Sequence, residues 1–225
     1  MVRCLAVLFL LTMATAAQAQ RAEIGFGLGT LNYSGDLVRG YNFGYSQPAG
    51  TIIYRSNLSS VVSVRASVMA GKLKASDRNP IDAAAGQRNA SFNIFLFEAS
   101  TGFEYHFLNW RDEKRFLRFS PYFFAGLGLF GMSGNEAKPV EYSNVQLSIP
   151  FGAGVKYVLN PKWYVSLEFG IRKTFFDYLD NVSDVNPQNV KNYQYGNPFD
   201  NDNYYFLGVT LTRTFYTIPC PRSPY

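Results

Sequence analysis

The chain has 225 residues, a formal net charge of +5, one histidine and two cysteines. This mild charge, without a run of basic residues, argues against nucleic acid as a partner. Too few cysteines are present for a disulfide-stapled small domain, and the histidine and cysteines make no zinc ligand set.

The first segment, MVRCLAVLFLLTMATAAQAQ, predicts an export signal. Arg3 precedes an apolar run over residues 4–14, and Ala17-Gln18-Ala19 is a small-residue cleavage site. We therefore expect a signal peptide over residues 1–19. Cleavage would remove Cys4 and leave Cys220 as the only cysteine.

Alternation of apolar and small residues dominates the rest of the chain. In AEIGFGLGTLNY, Ile24, Phe26 and Leu28 share one face, and glycines occupy the other. The same period recurs in PAGTIIYR, VVSVRASVMAGK, NIFLFEASTGFEYHF, SPYFFAGLGLF, IPFGAGVKYVL, WYVSLEFGIRKTF and YYFLGVTLTRTF. A period of two indicates β-strands, so we expect eight of them. No stretch after residue 20 is long enough for a transmembrane helix.

The composition of the second, less apolar face of each strand distinguishes a soluble β-sandwich from an outer-membrane barrel. They carry Gly, Ser and Thr with isolated charges, whereas a sandwich would expose plainly charged faces to water. Small polar residues suit the crowded interior of a small closed barrel, whose apolar face meets lipid.

The connections between the strands alternate in length. Long segments span residues 33–48, 75–90, 132–146 and 177–203. SNLSS and Asn160-Pro161-Lys162 are short, and LNWRDEKRFLR is of medium length. Outer-membrane barrels place short turns in the periplasm and long loops outside. We predict an all-β, eight-stranded antiparallel outer-membrane barrel over residues 20–217, with both termini periplasmic.

Individual residues fit this topology. Trp110 and Trp163 fall near the predicted periplasmic ends, where an aromatic girdle is expected. Pro121 and Pro150 are expected at strand beginnings, where a missing N–H is tolerated.

Six charged residues fall on the predicted inner face. They are Arg65, Glu98, Glu104, Lys156, Glu168 and Arg172. Because unpaired charges are costly in a low dielectric, we expect a structural network of salt bridges. A proton or ion path is the alternative, although eight strands enclose side chains rather than a wide channel.

Catalysis would require a histidine beside a nucleophile. Ser100 shares the face of His106, but six residues along a strand is roughly 20 Å, too far for a hydrogen bond. We expect no enzyme activity, no cofactor, no metal and no small-molecule substrate.

The blocks EIGFGLGTLNYSGDL, SPYFFAGLGLF, IPFGAGVKY, LEFGIRKTFFDYLDNVS and a tail containing Cys-Pro resemble the PorG-type barrels of the Bacteroidota type IX secretion apparatus. The resemblance implies a non-catalytic subunit of a protein-export machine, which in some species also serves gliding motility. It implies outer-membrane lipids, a periplasmic ring lipoprotein and the partner protein of that lipoprotein as neighbours.

The tail, residues 218–225, is expected in the oxidising periplasm. Cys220 there could be an idle thiol, a reactive redox group or half of an intermolecular disulfide, most plausibly with the ring lipoprotein. A charged turn on the same side could add contacts to the partner or simply be solvated. It contains Arg111, Asp112, Glu113, Lys114 and Arg115.

Three functions remain open at this stage. The first is the secretion-machine anchor, and the second is a stand-alone surface barrel for adhesion or envelope integrity. The third is a lipid-modifying enzyme.

Overall fold

The computed structural model describes residues 21–35, 37–38, 40–76, 91–108, 118–133, 143–175, 179 and 202–215. The strands are β1 (Arg21–Ser34), β2 (Gln47–Asn57), β3 (Val62–Ser76), β4 (Ser91–His106), β5 (Phe119–Ser133), β6 (Val145–Asn160), β7 (Trp163–Thr174) and β8 (Asn203–Phe215). A 3-10 helix, Phe43–Tyr45, lies between β1 and β2. Within these ranges no helix is long and apolar enough to cross a membrane.

The eight strands close into one barrel. Each strand pairs antiparallel with its neighbour in sequence, and β1 pairs with β8 from Ala22↔Phe215 to Ser34↔Asn203. The predicted eight-stranded antiparallel barrel is therefore confirmed. One end of the barrel, the terminal end, carries the start of β1, the end of β8 and the short β2–β3 and β6–β7 turns. The β4–β5 connection, residues 107–118, joins strands at this end too and is as long as the β1–β2 connection, residues 35–46. The other end, the loop end, carries the β1–β2, β3–β4, β5–β6 and β7–β8 connections.

The alternation in the sequence separates the two faces of the wall. Phe26 and Leu28 on β1 are 65% and 79% exposed, whereas Glu23 on the same strand is fully buried. Large apolar side chains point outward on every strand. Exposed apolar residues in this amount fit a surface that meets lipid rather than water.

The expectation that Pro150 begins a strand is wrong, because it lies inside β6. The β5–β6 pairing runs from Phe119↔Tyr157 to Ala125↔Phe151 and resumes only at Gly128↔Ser148. Pro150 falls in this interruption. The register is the same on both sides of the gap, and proline has no backbone N–H to donate to β5 there. Pairing with β7 continues at Pro150↔Arg172.

Glycines let β4 and β5 approach closely halfway along the barrel. A Cβ atom at Gly102 would lie 2.2 Å from the carbonyl oxygen of Ala125, and one at Gly126 would lie 2.2 Å from that of Thr101. Both contacts are with backbone, which cannot rotate away. At Gly102 and Gly126 a side chain is therefore excluded by the facing backbone.

Several predictions fall outside the described residues. They concern the signal peptide, Trp110, the turn from Arg111 to Arg115, and the tail with Cys220. These remain predictions.

Candidate functional site: the filled barrel interior

Buried charges line the barrel interior, and most of them lie in its terminal half. All six residues predicted on the inner face are buried, and the structure adds Arg55 and Glu23, which are fully buried. The interior therefore holds four basic residues and four glutamates, with His106 beside them. These four basic residues and four glutamates balance one another, so each ion of the network can be compensated without water. Asp202, a fifth buried acid, lies apart from this network.

Glu104 lies at the centre of this network. The Arg55 Nε atom donates to both of its carboxylate oxygens, at 2.8 and 2.9 Å. Arg65 Nη1 lies 3.3 Å from Oε1, and Lys156 Nζ lies 3.5 Å from Oε2. One carboxylate thus faces three cations brought together from β2, β3 and β6.

Two further glutamates complete the compensation. Glu168 on β7 accepts hydrogen bonds from Arg65 Nη1 and Nη2, at 2.9 and 3.2 Å, and from the Tyr122 hydroxyl at 3.0 Å. Glu23 lies 3.5 Å from Lys156 Nζ. These contacts cross the barrel and tie strands that are not neighbours in the sheet.

A separate pair lies nearer the loop end. Arg172 Nε is 3.6 Å from Glu98 Oε1, and Arg172 Nη1 donates to the Gly170 carbonyl at 3.0 Å. The Tyr204 hydroxyl donates to Glu98. The structure thus brings the six predicted residues into two groups: one around Glu104 and one around Glu98.

Arg55 and Glu23 were missed although their signal is present in the sequence. Arg55 is in phase with Thr51 and Ile53, which also face inward, and Glu23 is in phase with Gly25. Alternation with a period of two places both residues on the inner face once each predicted strand is extended to its end.

The loop half of the interior is apolar, contrary to the expected polar interior. We call this cluster the apolar plug; it comprises Leu31, Tyr33, Leu37, Val38, Ala49, Met69, Leu73, Ala75, Phe92, Ile94, Leu96, Phe130, Met132, Leu179, Tyr204 and Phe206. Three of its members, Leu37, Val38 and Leu179, come from connections between strands and pack into the mouth of the barrel.

Asp202 ties the plug to the barrel wall. Its carboxylate accepts from the Tyr33 hydroxyl at 2.6 Å and from the backbone N–H of Leu179 at 2.9 Å. The residue is buried, so these bonds replace the water that its charge would otherwise require. The mouth of the barrel is thus closed by packed side chains with a hydrogen-bonded anchor.

The histidine belongs to the ionic network. His106 Nε2 lies 3.4 Å from Lys156 Nζ and 3.5 Å from Glu104 Oε2. The Ser100 hydroxyl is hydrogen-bonded to that of Ser67 at 2.8 Å. Within the described ranges, no group of three or more His, Cys, Asp or Glu residues could hold a metal ion. The arrangement is suited to holding the barrel together.

A family model described as a domain of unknown function, DUF6089, matches residues 2–223. The chain belongs to this family. No curated protein matches the sequence.

Solved structures of outer-membrane proteins are similar to this chain, and Neisserial surface protein A shares its fold. Neisserial surface protein A is 14% identical, with a TM-score of 0.53, over 86% of this chain and 97% of its own. The attachment invasion locus protein Ail of Yersinia pestis is 12% identical, with a TM-score of 0.47, over 87% and 99%. The outer-membrane enzyme PagL is 12% identical, with a TM-score of 0.37, over 84% and 97%. At these identities the likeness concerns the fold alone.

Proposed function

We propose that this chain is a non-enzymatic outer-membrane subunit of a type IX protein secretion machine, and that it anchors a periplasmic ring to the membrane. In species that glide, the same machine would serve motility. The observation that carries the proposal is the filled interior. Ion pairs occupy the terminal half and the apolar plug occupies the loop half.

A barrel filled in this way acts through its ends and its outer wall. Within the described residues the interior contacts run from Glu23, Arg55 and Glu104 to the apolar plug, and they leave no wide channel for a polypeptide. Exported cargo would therefore use another component of the machine. The barrel would hold that machine at the membrane.

The terminal end supports the anchoring role. The start of β1 lies beside the end of β8, because Ala22 pairs with Phe215, and β4 ends at the same side at His106. The chain therefore runs into the C-terminal tail and into the β4–β5 connection from one end of the barrel. Cys220 follows Phe215 by five residues in the sequence.

We propose that Cys220 forms a disulfide with the periplasmic ring lipoprotein, and that the charged turn adds polar contacts. An unpaired cysteine in an exported chain favours an intermolecular bond. The resemblance of the LEFGIRKTFFDYLDNVS block and the Cys-Pro tail to PorG-type barrels supports this partner.

The test compares outer membranes of wild type and Cys220→Ser on a non-reducing gel, with a reduced lane as control. We expect a higher-mass band that reduction and the substitution both remove, and mass spectrometry should identify a periplasmic lipoprotein in it. A variant with Arg111 and Arg115 changed to Gln keeps the thiol. It should retain the band while less ring protein co-purifies after reduction.

If no such band is seen and ring proteins still co-purify normally with Cys220→Ser, the proposed disulfide is contradicted. If no periplasmic protein co-purifies with the wild type either, the anchoring role fails. The stand-alone surface barrel would then be the better description.

A further inference from the structure

The acidic side chains of the described barrel lie only on its inside, whereas basic side chains lie on both the inside and the outside. Its acidic side chains are all buried: Glu23, Glu98, Glu104, Glu168 and Asp202. Its exposed charged side chains are all basic: Lys72, Lys74, Arg118, Lys162, Lys173 and Arg213. The described outer surface is therefore purely cationic.

These basic residues lie at the two edges of an apolar band. On β7 the outward residues from Trp163 to Ile171 are apolar, and Lys173 follows at the loop end. Ten residues of strand span about 33 Å, which corresponds to about 25 Å across a membrane when the strand is tilted by about 40°. The outward charges thus fall at the depth of lipid headgroups.

At the terminal edge, Arg213 is held between two aromatic rings. Its guanidinium carbon is 5.7 Å from the centroid of Trp163 and 5.4 Å from that of Phe215. Trp163 lies directly across the β7–β8 ladder, and Phe215 is two residues further along β8. Contact with the ring faces orients the planar guanidinium without using its N–H donors.

A second cation lies beside this clamp. Lys162 follows Pro161 in the β6–β7 turn, where the backbone N–H groups of Lys162 and Trp163 donate to Asn160 Oδ1 at 3.0 and 2.9 Å. The Lys162 carbonyl accepts from the Thr214 N–H at 2.9 Å. The turn thus holds the backbone of Lys162 at the terminal end of β8, next to Arg213.

We propose that Arg213 and Lys162, supported by Trp163 and Phe215, bind the phosphate of an anionic phospholipid headgroup. No ion pair joins either cation to a carboxylate in the described part of the chain. The guanidinium has paired N–H groups that can donate hydrogen bonds to two phosphate oxygens. The site is on the outer wall at the edge of the apolar band, where headgroups lie, which favours a lipid over a soluble ligand.

The site does not depend on the secretion role, because it faces the bilayer rather than the periplasmic partner. It would fix the depth and tilt of the barrel at the terminal edge. In the proposed orientation that edge lies in the periplasmic leaflet.

The test uses the purified full chain in phosphatidylcholine bilayers with and without phosphatidylglycerol, with retained lipid measured by native mass spectrometry. We expect wild type to retain phosphatidylglycerol preferentially and Arg213→Gln to lose about tenfold in that preference. Lys173→Gln removes the same charge at the opposite edge and should keep the preference. Arg213→Lys should be intermediate, because ammonium lacks the planar pair of donors.

Equal retention by wild type and Arg213→Gln would overturn the proposal. An equal loss in Lys173→Gln would overturn it too, because it would show general attraction to a cationic barrel. Heat-dependent gel mobility confirms that each variant is folded. If Arg213→Gln fails to fold, Arg213→Lys and Lys162→Gln decide: full retention in both contradicts the site.

Discussion

Replacing Glu104 by Gln tests the charge network most severely. The change keeps the size of the side chain and removes one negative charge. Arg55, Arg65 and Lys156 then face an amide. The group around position 104 is left with three cations and only Glu23 and Glu168 as anions.

The expected loss of folding stability follows from the number of cations that lose their partner. Breaking one buried ion pair costs about 3–5 kcal/mol, because the remaining charge stays buried without compensation. The cost of Glu104→Gln should lie in the upper part of this range, because three cations are affected. Glu98→Gln is the matched control: Glu98 faces Arg172 at 3.6 Å, and Gln can still accept from the Tyr204 hydroxyl. Because a single cation is affected and the contact is long, we expect a cost of about 3 kcal/mol there, at the lower end of the same range.

The assay is urea unfolding in lipid vesicles, with the folded fraction read from heat-dependent gel mobility. A double variant, Glu104→Leu with Arg55→Met, removes one charge of each sign. It should be more stable than Glu104→Gln, because the interior is balanced again. If Glu104→Gln costs no more than Glu98→Gln, or if the double variant is the less stable, the charge-balance reasoning is refuted.

Two further changes probe the wall and the plug, both measured by urea unfolding. Gly102→Ala should destabilise the barrel by about 1–3 kcal/mol or more, because the new Cβ meets the Ala125 carbonyl, whereas Gly50→Ala has no atom nearer than 3.9 Å and should be neutral. Equal effects would contradict the close approach. Asp202→Ala should cost about 2–3 kcal/mol and speed hydrogen exchange at the Leu179 amide, and unchanged exchange would argue against an anchored plug.

The barrel itself was predictable because alternation persists wherever one face meets lipid. Phe95, Phe97 and Phe103 on β4 all face outward, and Glu98 and Glu104 face inward as their positions require. A period of two fixes the face of a residue regardless of its partners. The six inner charges could therefore be named from the sequence.

The pairing of those charges could not be predicted. Arg55 and Glu104 are 49 residues apart, and Lys156 and Glu23 are 133 apart. Whether they meet depends on the stagger of the closed sheet, which sets the height of each inward residue. Alternation does not encode this stagger.

The apolar plug was missed for a different reason. At the loop end of β1 the inner face becomes apolar at Leu31 and Tyr33, with Asn32 between them, whereas on β8 both faces are aromatic, as at Tyr205 and Phe206. The pattern of apolar outer and polar inner residues therefore breaks down there. Leu37 and Leu179 come from connections, whose packing into the mouth depends on tertiary structure.

Export by a strain that lacks this chain tests the anchoring role most directly. Secreted proteins that carry C-terminal export signals would be quantified in the medium and in the periplasm. Loss from the medium, periplasmic accumulation and recovery on complementation with the wild-type chain are the expected results. Normal export in the deletion strain would contradict a role in the secretion machine.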